Sequence, residues 1–396
     1  MIPQSATSIH DFKTCPMLYR LRHILRLRPI DDPATARQGT NWHKCLEILT
    51  DPAGGEQAMI DHLNITYSNC PPSVELTDWE VERTVLLYSA LGWLWYWRDD
   101  EIETLAREVH FERQINTLYS RRGMIDRIIR RNRQLLLGEY KSTSKPIDSS
   151  SLYWDRLNLD SQLTLYLLEA RHAQLAGQLE QFGITATDPL ISGVLYDVWH
   201  KPAIRPKKLT QADSKKFVAD GKYFGEEFNC VLWIDAHRTD DNLHTRNLVV
   251  NGREAEITLG SIPKPTNKNP NPEIPFAIRE TPEMFGARLL ADIRENPGNH
   301  FARKEIARTD RELAILDAEY YNIARLAHMA DQRDLWFRNE NQCDATYRCS
   351  FYSICYYNLD VTNGKVPTGF KCLNKGNENA KAPQDAPETN APQSPK

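Results

Sequence analysis

Within GMIDRIIRRNRQLLLGEYKSTSKP, residues 123–146, Asp126, Glu139 and Lys141 offer two carboxylates and one ammonium. Glu139 and Lys141 flank Tyr140. Alternation along a strand puts those two on one face and Tyr140 on the other. A tight antiparallel hairpin brings Asp126 close to Glu139. Such a set suits phosphodiester hydrolysis. Hard carboxylate oxygens hold Mg²⁺, the cation lowers the pKa of a water, and a lysine orients that water or stabilises the pentavalent charge. A strand edge with solvated charges and one salt bridge has the same spelling, because charged residues make up 26% of the chain.

The elements that must position these groups follow from periodicity. Gly123 to Arg130 and Gln134 to Lys141 read as strands joined by the polar RRNRQ, residues 130–134. Leu105 to Leu118 is strand-like and carries Glu108, an auxiliary acid or a solvated strand charge. Residues 156–182 repeat Leu159, Leu163, Tyr166, Leu167 and Ala170 at helical spacing. Gln162 and Tyr166 fall four apart on that helix, on one face, where core packing is an equal reading. Ile191 to Trp199 is a further apolar strand. Upstream, residues 8–28 read as a broken helix capped at Ser8 and restarted at Pro16. Residues 38–50 and 78–98 are helical, the first carrying His43, and a lone histidine is more often structural than a ligand. From 200 to 280 the chain is lysine-rich and irregular, with a Pro-Asn loop at 262–275. Residues 281–296 and 303–338 read as helices. The result is an α/β core flanked by helices. The tail after Cys372 has no aromatic residue and reads as disordered.

The composition is that of a globular protein: 396 residues, 41% hydrophobic, formal net charge -4. It excludes collagen-like and wholly disordered chains, and no overall positive field announces nucleic acid. The richest apolar run, Val85 to Trp97, is short for a membrane span and contains Ser89 and Gly92. MIPQSATSIH lacks the pattern of a secretory signal. The expectation is a cytoplasmic protein, of a bacterial cell or phage-infected host, with reduced thiols and no membrane partner.

His43, then Asp126 in G-x-x-D, Glu139 and Lys141 in E-x-K, and Gln162 and Tyr166 in Q-x-x-x-Y follow one another in an order that resembles the RecB-like branch of the PD-(D/E)XK nuclease superfamily. The likeness is to its iron–sulfur exonucleases: CRISPR-associated RecB-like exonucleases, the AddB nuclease domain and phage exonucleases. SIHDFKTCPMLYRLRH is similar to the opening helix of that branch. The resemblance covers roughly residues 5–200 and 340–357. It departs in having Ile125 before Asp126, where the family has PD or VD. It implies a restriction-endonuclease-like core, a small mixed β-sheet flanked by helices, with N- and C-terminal segments joined by a metal cluster. It also implies that His43, Asp126, Glu139 and the Tyr140 carbonyl bind Mg²⁺ or Mn²⁺, that Lys141 serves the attacking water, and that Gln162 and Tyr166 position DNA and the active-site side chains.

Cys343-x5-Cys349-x5-Cys355 is spaced for a metal or cluster, with Cys15 the natural fourth thiolate. In the resembled branch such a quartet staples the chain ends around a [4Fe–4S] cluster, although many members have C-x2-C-x5-C. Here Tyr347 would sit in the longer loop. Structural zinc fits the same four thiolates. Cys45, Cys70 and Cys230 read as ordinary buried cysteines, and Cys372 as a poor ligand.

Arginines 20, 22, 26 and 28 cluster beside Cys15, and arginines 121, 122, 127, 130, 131 and 133 around the hairpin. Arg20, Arg22, Arg26, Arg121, Arg122 and Arg127 are the candidates for phosphate contact. For Lys201, Arg205, Lys207, Lys208, Lys215 and Lys216 that role and a solvated face are equal readings. Tyr153 and Trp154 would stack on bases or pack in the core. The expected organisation is a helical segment over 1–100, a nuclease core over 101–200, an insertion over 201–280, a C-terminal helical segment over 281–372 and a tail over 373–396. The expected function is a metal-dependent DNA exonuclease acting on ends or single strands, with recombination or replication proteins as further partners. Its rival is a non-catalytic DNA-binding platform on the same fold.

Overall fold

A two-residue reversal organises the centre of the chain. Asn132 and Arg133 both adopt left-handed backbone, φ 50° and 66°, the twist a tight hairpin needs. They join β2 (Tyr119–Arg131) to β3 (Gln134–Thr143), which pair antiparallel from Arg131↔Gln134 to Arg127↔Gly138. β1 (Glu103–Gln114) pairs with β2 on its other side. After β3 the chain crosses through helix α3 (Ser161–Leu175) and returns as β4 (Gly193–His200), parallel to β3. A parallel neighbour requires such a crossover. β5 (Phe301–Ala307) closes the far side antiparallel to β4. This computed structural model describes residues 2–30, 34–235, 245–261, 266, 275–345 and 348–373. The expected tail beyond Leu373, most of the Pro-Asn loop and Tyr347 lie outside the described residues.

The chain divides into two compact units. One comprises Pro33–Gln114 and Arg121–Asp317; the other comprises Met1–Asp32, Ile115–Ser120 and Ala318–Lys396. In the first, both faces of the sheet are buried. One face packs under α3 through Ile128, Leu137, Leu163, Leu167, Tyr196 and Val198. The other meets α1 (Ala34–Leu49), α2 (Leu76–Tyr96) and α4 (Pro282–Glu295), where Trp42, Leu46, Trp93, Tyr140, Trp199 and Phe285 gather. The second unit joins sequence from both ends of the chain. Leu27–Pro29 pairs antiparallel with Phe370–Cys372, and Leu21, Leu27, Phe351 and Ile354 share a core. Among the described residues no helix is long and apolar enough to cross a membrane.

This is a mixed α/β fold with a central mixed sheet flanked by helices, as expected. Local boundaries differ from the expectations for physical reasons. The N-terminal helix starts earlier: Ser5 is its cap, and Ser8 is the N3 partner that closes the capping box. The helix expected over 156–182 is α3 alone. Asp160 starts it by accepting the Gln162 and Leu163 amides, and a left-handed Gly177 follows its end. The helix expected from 303 is β5 first. Its Arg-Lys-Glu centre favours a helix locally, but pairing with β4 overrides that preference. The helix that follows runs over Asp310–Arg333. The stretch expected to be irregular has its own core of Leu209, Phe217, Leu248, Val250, Phe276 and Met284.

Where β4 meets β5, the backbones leave no room for a side chain at Gly193. A Cβ there would stand 2.6 Å from the Ile306 carbonyl oxygen. Gly193→Ala should therefore destabilise the protein by about 1–3 kcal/mol, read as a lower urea midpoint at unchanged m-value.

Candidate active site and thiol cavity

The hairpin register decides the site. The ladder ends at the Arg127↔Gly138 pair, and Asp126, the next residue of β2, meets β3 through its side chain. The Asp126 carboxylate accepts the Tyr140 amide at Oδ2, 2.9 Å. His43, on α1, places Nδ1 3.4 Å from the same oxygen. Alternation then sorts β3 as expected. Tyr140 turns into the core beneath α1 and α2, while Glu139 and Lys141 turn together toward α3.

On that face the contacts form one network. Lys141 Nζ donates to Glu139 Oε1 at 2.5 Å and to Gln162 Oε1 at 3.1 Å. Gln162 Nε2 donates to Glu139 Oε1 at 3.1 Å and reaches the Tyr166 hydroxyl at 3.0 Å. Asp160, capping the first turn of α3, fixes where Gln162 emerges. Gln162 and Tyr166 thus face the carboxylates rather than merely packing.

Glu139 is 2% exposed, and its Oε2 is buried with no hydrogen-bond partner. Leaving such an oxygen unpaired is costly. Burial pushes the Glu139 carboxyl up to about 7; Lys141 works against this and the Asp126 charge adds to it. Burial also acts to raise Asp126, but the hydrogen bond and charge of His43, with Lys141 and the Tyr140 amide, hold it below the usual carboxylate range. Burial would lower Lys141, yet the Glu139 carboxylate beside it holds the ammonium well above its ordinary value. Two neighbouring carboxyls held on opposite sides of their ordinary range is a pattern of functional sites.

Beneath Tyr140 lies a second charged group that sequence reasoning missed. Asp197, 1% exposed in β4, accepts from Arg303 Nη2 at 2.8 Å and from Trp93 Nε1 at 3.1 Å, with Arg127 Nη2 at 3.4 Å. The Arg127 guanidinium lies 4.4 Å over the Tyr140 ring. Gly138 makes this path open, since a Cβ there would meet Arg127 Nε at 2.4 Å. The available signal was one acidic residue inside the apolar run VLYDVWH.

Several proposed phosphate contacts need correction. Arg121 and Arg127 are 1% and 2% exposed, so neither presents its charge to a solvated backbone. Arg121 pairs with Glu169 and Asp317, Arg127 with Asp197. Buried arginines inside carboxylate pairs serve the fold. Arg22 grips Asp11 through two bonds, 2.9 and 3.0 Å, and lies over Phe351; Arg20 pairs with Asp334 at 2.8 Å. Arg26 and Arg122 are half-buried. Tyr153 and Trp154 are buried in the core.

In the other unit, Cys15, Cys343, Cys349 and Cys355 line one cavity, with Leu18, Leu21 and Phe351. Cys15 Sγ accepts the Asn339 amide at 3.4 Å, and the Asn339 side chain donates to the Thr14 carbonyl at 2.9 Å. The Cys349 amide donates to the Cys343 carbonyl at 2.8 Å. Burial, with the neighbouring thiols, pushes the Cys349 and Cys355 thiols up. Cys45 is buried, whereas Cys372 is exposed.

Among the described residues, no three His, Cys, Asp or Glu side chains converge in ligating geometry. The donor chemistry nevertheless fits the expected groups. The unpartnered Glu139 oxygen, the Asp126 carboxylate and the His43 imidazole suit a hard or borderline divalent cation, and four thiols around one cavity suit a thiolate-bound centre.

Comparison with curated proteins finds no match. A family model described as the PD-(D/E)XK nuclease superfamily matches residues 3–356. Members of that superfamily are generally metal-dependent nucleases, using divalent ions such as Mg²⁺ or Mn²⁺. With a match over nearly its whole length, and the acid–acid–lysine hairpin that the name of the superfamily spells, this chain belongs to the PD-(D/E)XK nucleases.

Proposed function

We propose that the protein is a divalent-metal-dependent deoxyribonuclease, an exonuclease acting on DNA ends or single strands in recombination, repair, phage replication or spacer processing. The observation that carries this is the Glu139–Lys141–Gln162 network, with the charged Asp126 carboxylate acting on it and one Glu139 oxygen buried and unpaired. In the proposal His43, Asp126, Glu139 and the Tyr140 carbonyl hold Mg²⁺ or Mn²⁺. Bound there, the ion supplies Lewis acidity toward the phosphate and a more acidic water. The protein's own groups do the rest. Lys141, kept charged by Glu139, donates to the attacking water or to a phosphate oxygen and offsets the negative charge that builds at phosphorus. Gln162 holds Glu139 and Lys141 in register, and Tyr166 steadies Gln162.

Cys15, Cys343, Cys349 and Cys355 are proposed to carry a [4Fe–4S] cluster, zinc being the rival. Its role is structural, since it would fasten sequence near residue 15 to sequence near residue 350. DNA is the partner, and the cell interior is the proposed location.

The test uses linear duplex and single-stranded DNA, each labelled at one end, incubated with the purified protein and Mg²⁺ or Mn²⁺. Progressive shortening, stopped by EDTA, is the expected result. Binding without shortening in either metal would favour the non-catalytic platform.

A pH dependence follows from Glu139. A carboxyl that titrates near 7 must lose its proton to bind a cation. Mn²⁺ affinity should therefore weaken as pH falls through about 7. Calorimetry in buffers of different ionisation enthalpy should detect up to about one proton released per ion bound in that range. Without the cation the sign for stability is the reverse. The folded state holds this proton more tightly than the unfolded one. Its contribution is therefore full below about 4.5 and is lost as pH rises through about 7.

A further inference from the structure

Leu159 and Leu152 are 89% and 81% exposed, the highest values for large hydrophobic side chains among the described residues. Both stand in the connection that leaves β3 after Thr143 and enters α3 through the Asp160 cap. Single exposed leucines are common. Here, however, a buried scaffold holds two of them out. Ile147, Tyr153, Trp154 and Leu157 of the same connection are buried. Trp154 Nε1 donates to the Ile147 and Asp148 carbonyls at 3.0 and 2.9 Å, Ser151 Oγ to the Pro146 carbonyl at 2.6 Å, and Arg308 to the Leu157 carbonyl. Asp155–Leu159 is a 3-10 helix. Side chains three apart in such a helix lie above one another. Arg156 and Leu159 therefore share a face, while Leu157 enters the core. The Arg156 guanidinium lies 4.4 Å over the Tyr153 ring.

Charge narrows the choice of occupant. Residues 145–160 hold Lys145 and Arg156 against Asp148, Asp155 and Asp160, a balance of -1. That is a poor phosphate track. Apolar side chains with one stacked guanidinium suit the uncharged faces of bases, and leucine is among the side chains that wedge between base steps. Position points the same way, because Leu159 is three residues from Gln162, which touches Glu139 and Lys141.

We propose that Leu152 and Leu159 form an apolar wedge that enters the base stack at a DNA end and parts the strands beside the active site. The inference rests on the nuclease reading above and specifies its substrate handling. It is tested with full-length protein in EDTA, so that nothing is cleaved, on a blunt duplex carrying 2-aminopurine in its terminal pair. The unsubstituted protein should raise the fluorescence as that base unstacks. Leu152→Ser with Leu159→Ser should lose the rise and bind the end about tenfold more weakly, whereas Leu152→Met with Leu159→Met should keep both. An equal rise and affinity for the serine variant would overturn the wedge. So would the absence of any rise with unsubstituted protein, or a change confined to dimerisation in sedimentation, which would make a second copy the occupant. Hydrolysis of single-stranded DNA in Mn²⁺ is measured alongside. The serine variant should retain it. Its absence from unsubstituted protein would overturn the nuclease reading, and the fluorescence would still judge the wedge.

Discussion

Asp126→Ala, Glu139→Gln and Lys141→Ala should each lower metal-dependent DNA hydrolysis by about 1,000-fold while leaving the far-ultraviolet circular dichroism unchanged. The three losses have different causes, and secondary measurements should separate them. Glu139→Gln keeps the shape of the side chain and its contact with Gln162 but removes the charge. It should abolish the Mn²⁺-dependent rise in thermal stability that a bound ion gives the unsubstituted protein. Asp126→Ala removes the acceptor of the Tyr140 amide as well as a carboxylate, so it should cost some stability even without metal. Lys141→Ala removes the ammonium that partly offsets the Glu139 charge. It should retain Mn²⁺ binding, shifted to higher pH, and lose turnover. Equal turnover in the lysine variant would show that the ammonium only neutralises Glu139.

Replacing Cys15 by serine carries the second large effect. Cys15 comes from the start of the chain, and the other three cavity thiols come from residues 343–355. If the four share a cluster, losing one breaks the fastening between the two sequence segments. Protein purified without air should be brown and absorb near about 400 nm, whereas Cys15→Ser should be colourless. Stability should fall by about 4 kcal/mol or more, the range that loss of a metal centre produces. Cys45→Ser, in the core of the other unit, should cost stability through burial of a hydroxyl and leave the colour unchanged. A colourless protein containing one zinc ion per chain would replace the cluster with zinc.

The legible part of the site was the part written in local alternation. Asp126, Glu139 and Lys141 could be placed because a hairpin of known pitch fixes which side chains face one another, and its turn lies in plain view at Asn132 and Arg133. The spacing of Gln162 and Tyr166 put them on one helix face but left core packing an equal reading, and only the family resemblance gave them a place in the site. What could not be read came from contacts distant in sequence. The arginines of the hairpin looked like a cationic surface because their charge is visible, while Glu169, Asp197 and Asp317, which bury Arg121 and Arg127, lie up to 196 residues away. β5 looked helical because its partner, β4, lies a hundred residues earlier. Leu159, one of the two exposed leucines of the β3–α3 connection, was assigned to a helical face, since periodicity does not reveal that Asp160 interrupts the helix.

A divalent cation held between Asp126 and Glu139 is what the proposed hydrolysis most needs. Crystals soaked in Mn²⁺ and measured at the manganese edge locate the ion directly. An anomalous peak is expected at coordination distance from carboxylate oxygens of both Asp126 and Glu139, absent from Glu139→Gln. Manganese bound elsewhere, with Asp126 and Glu139 free of it in a protein that still degrades DNA, would contradict it.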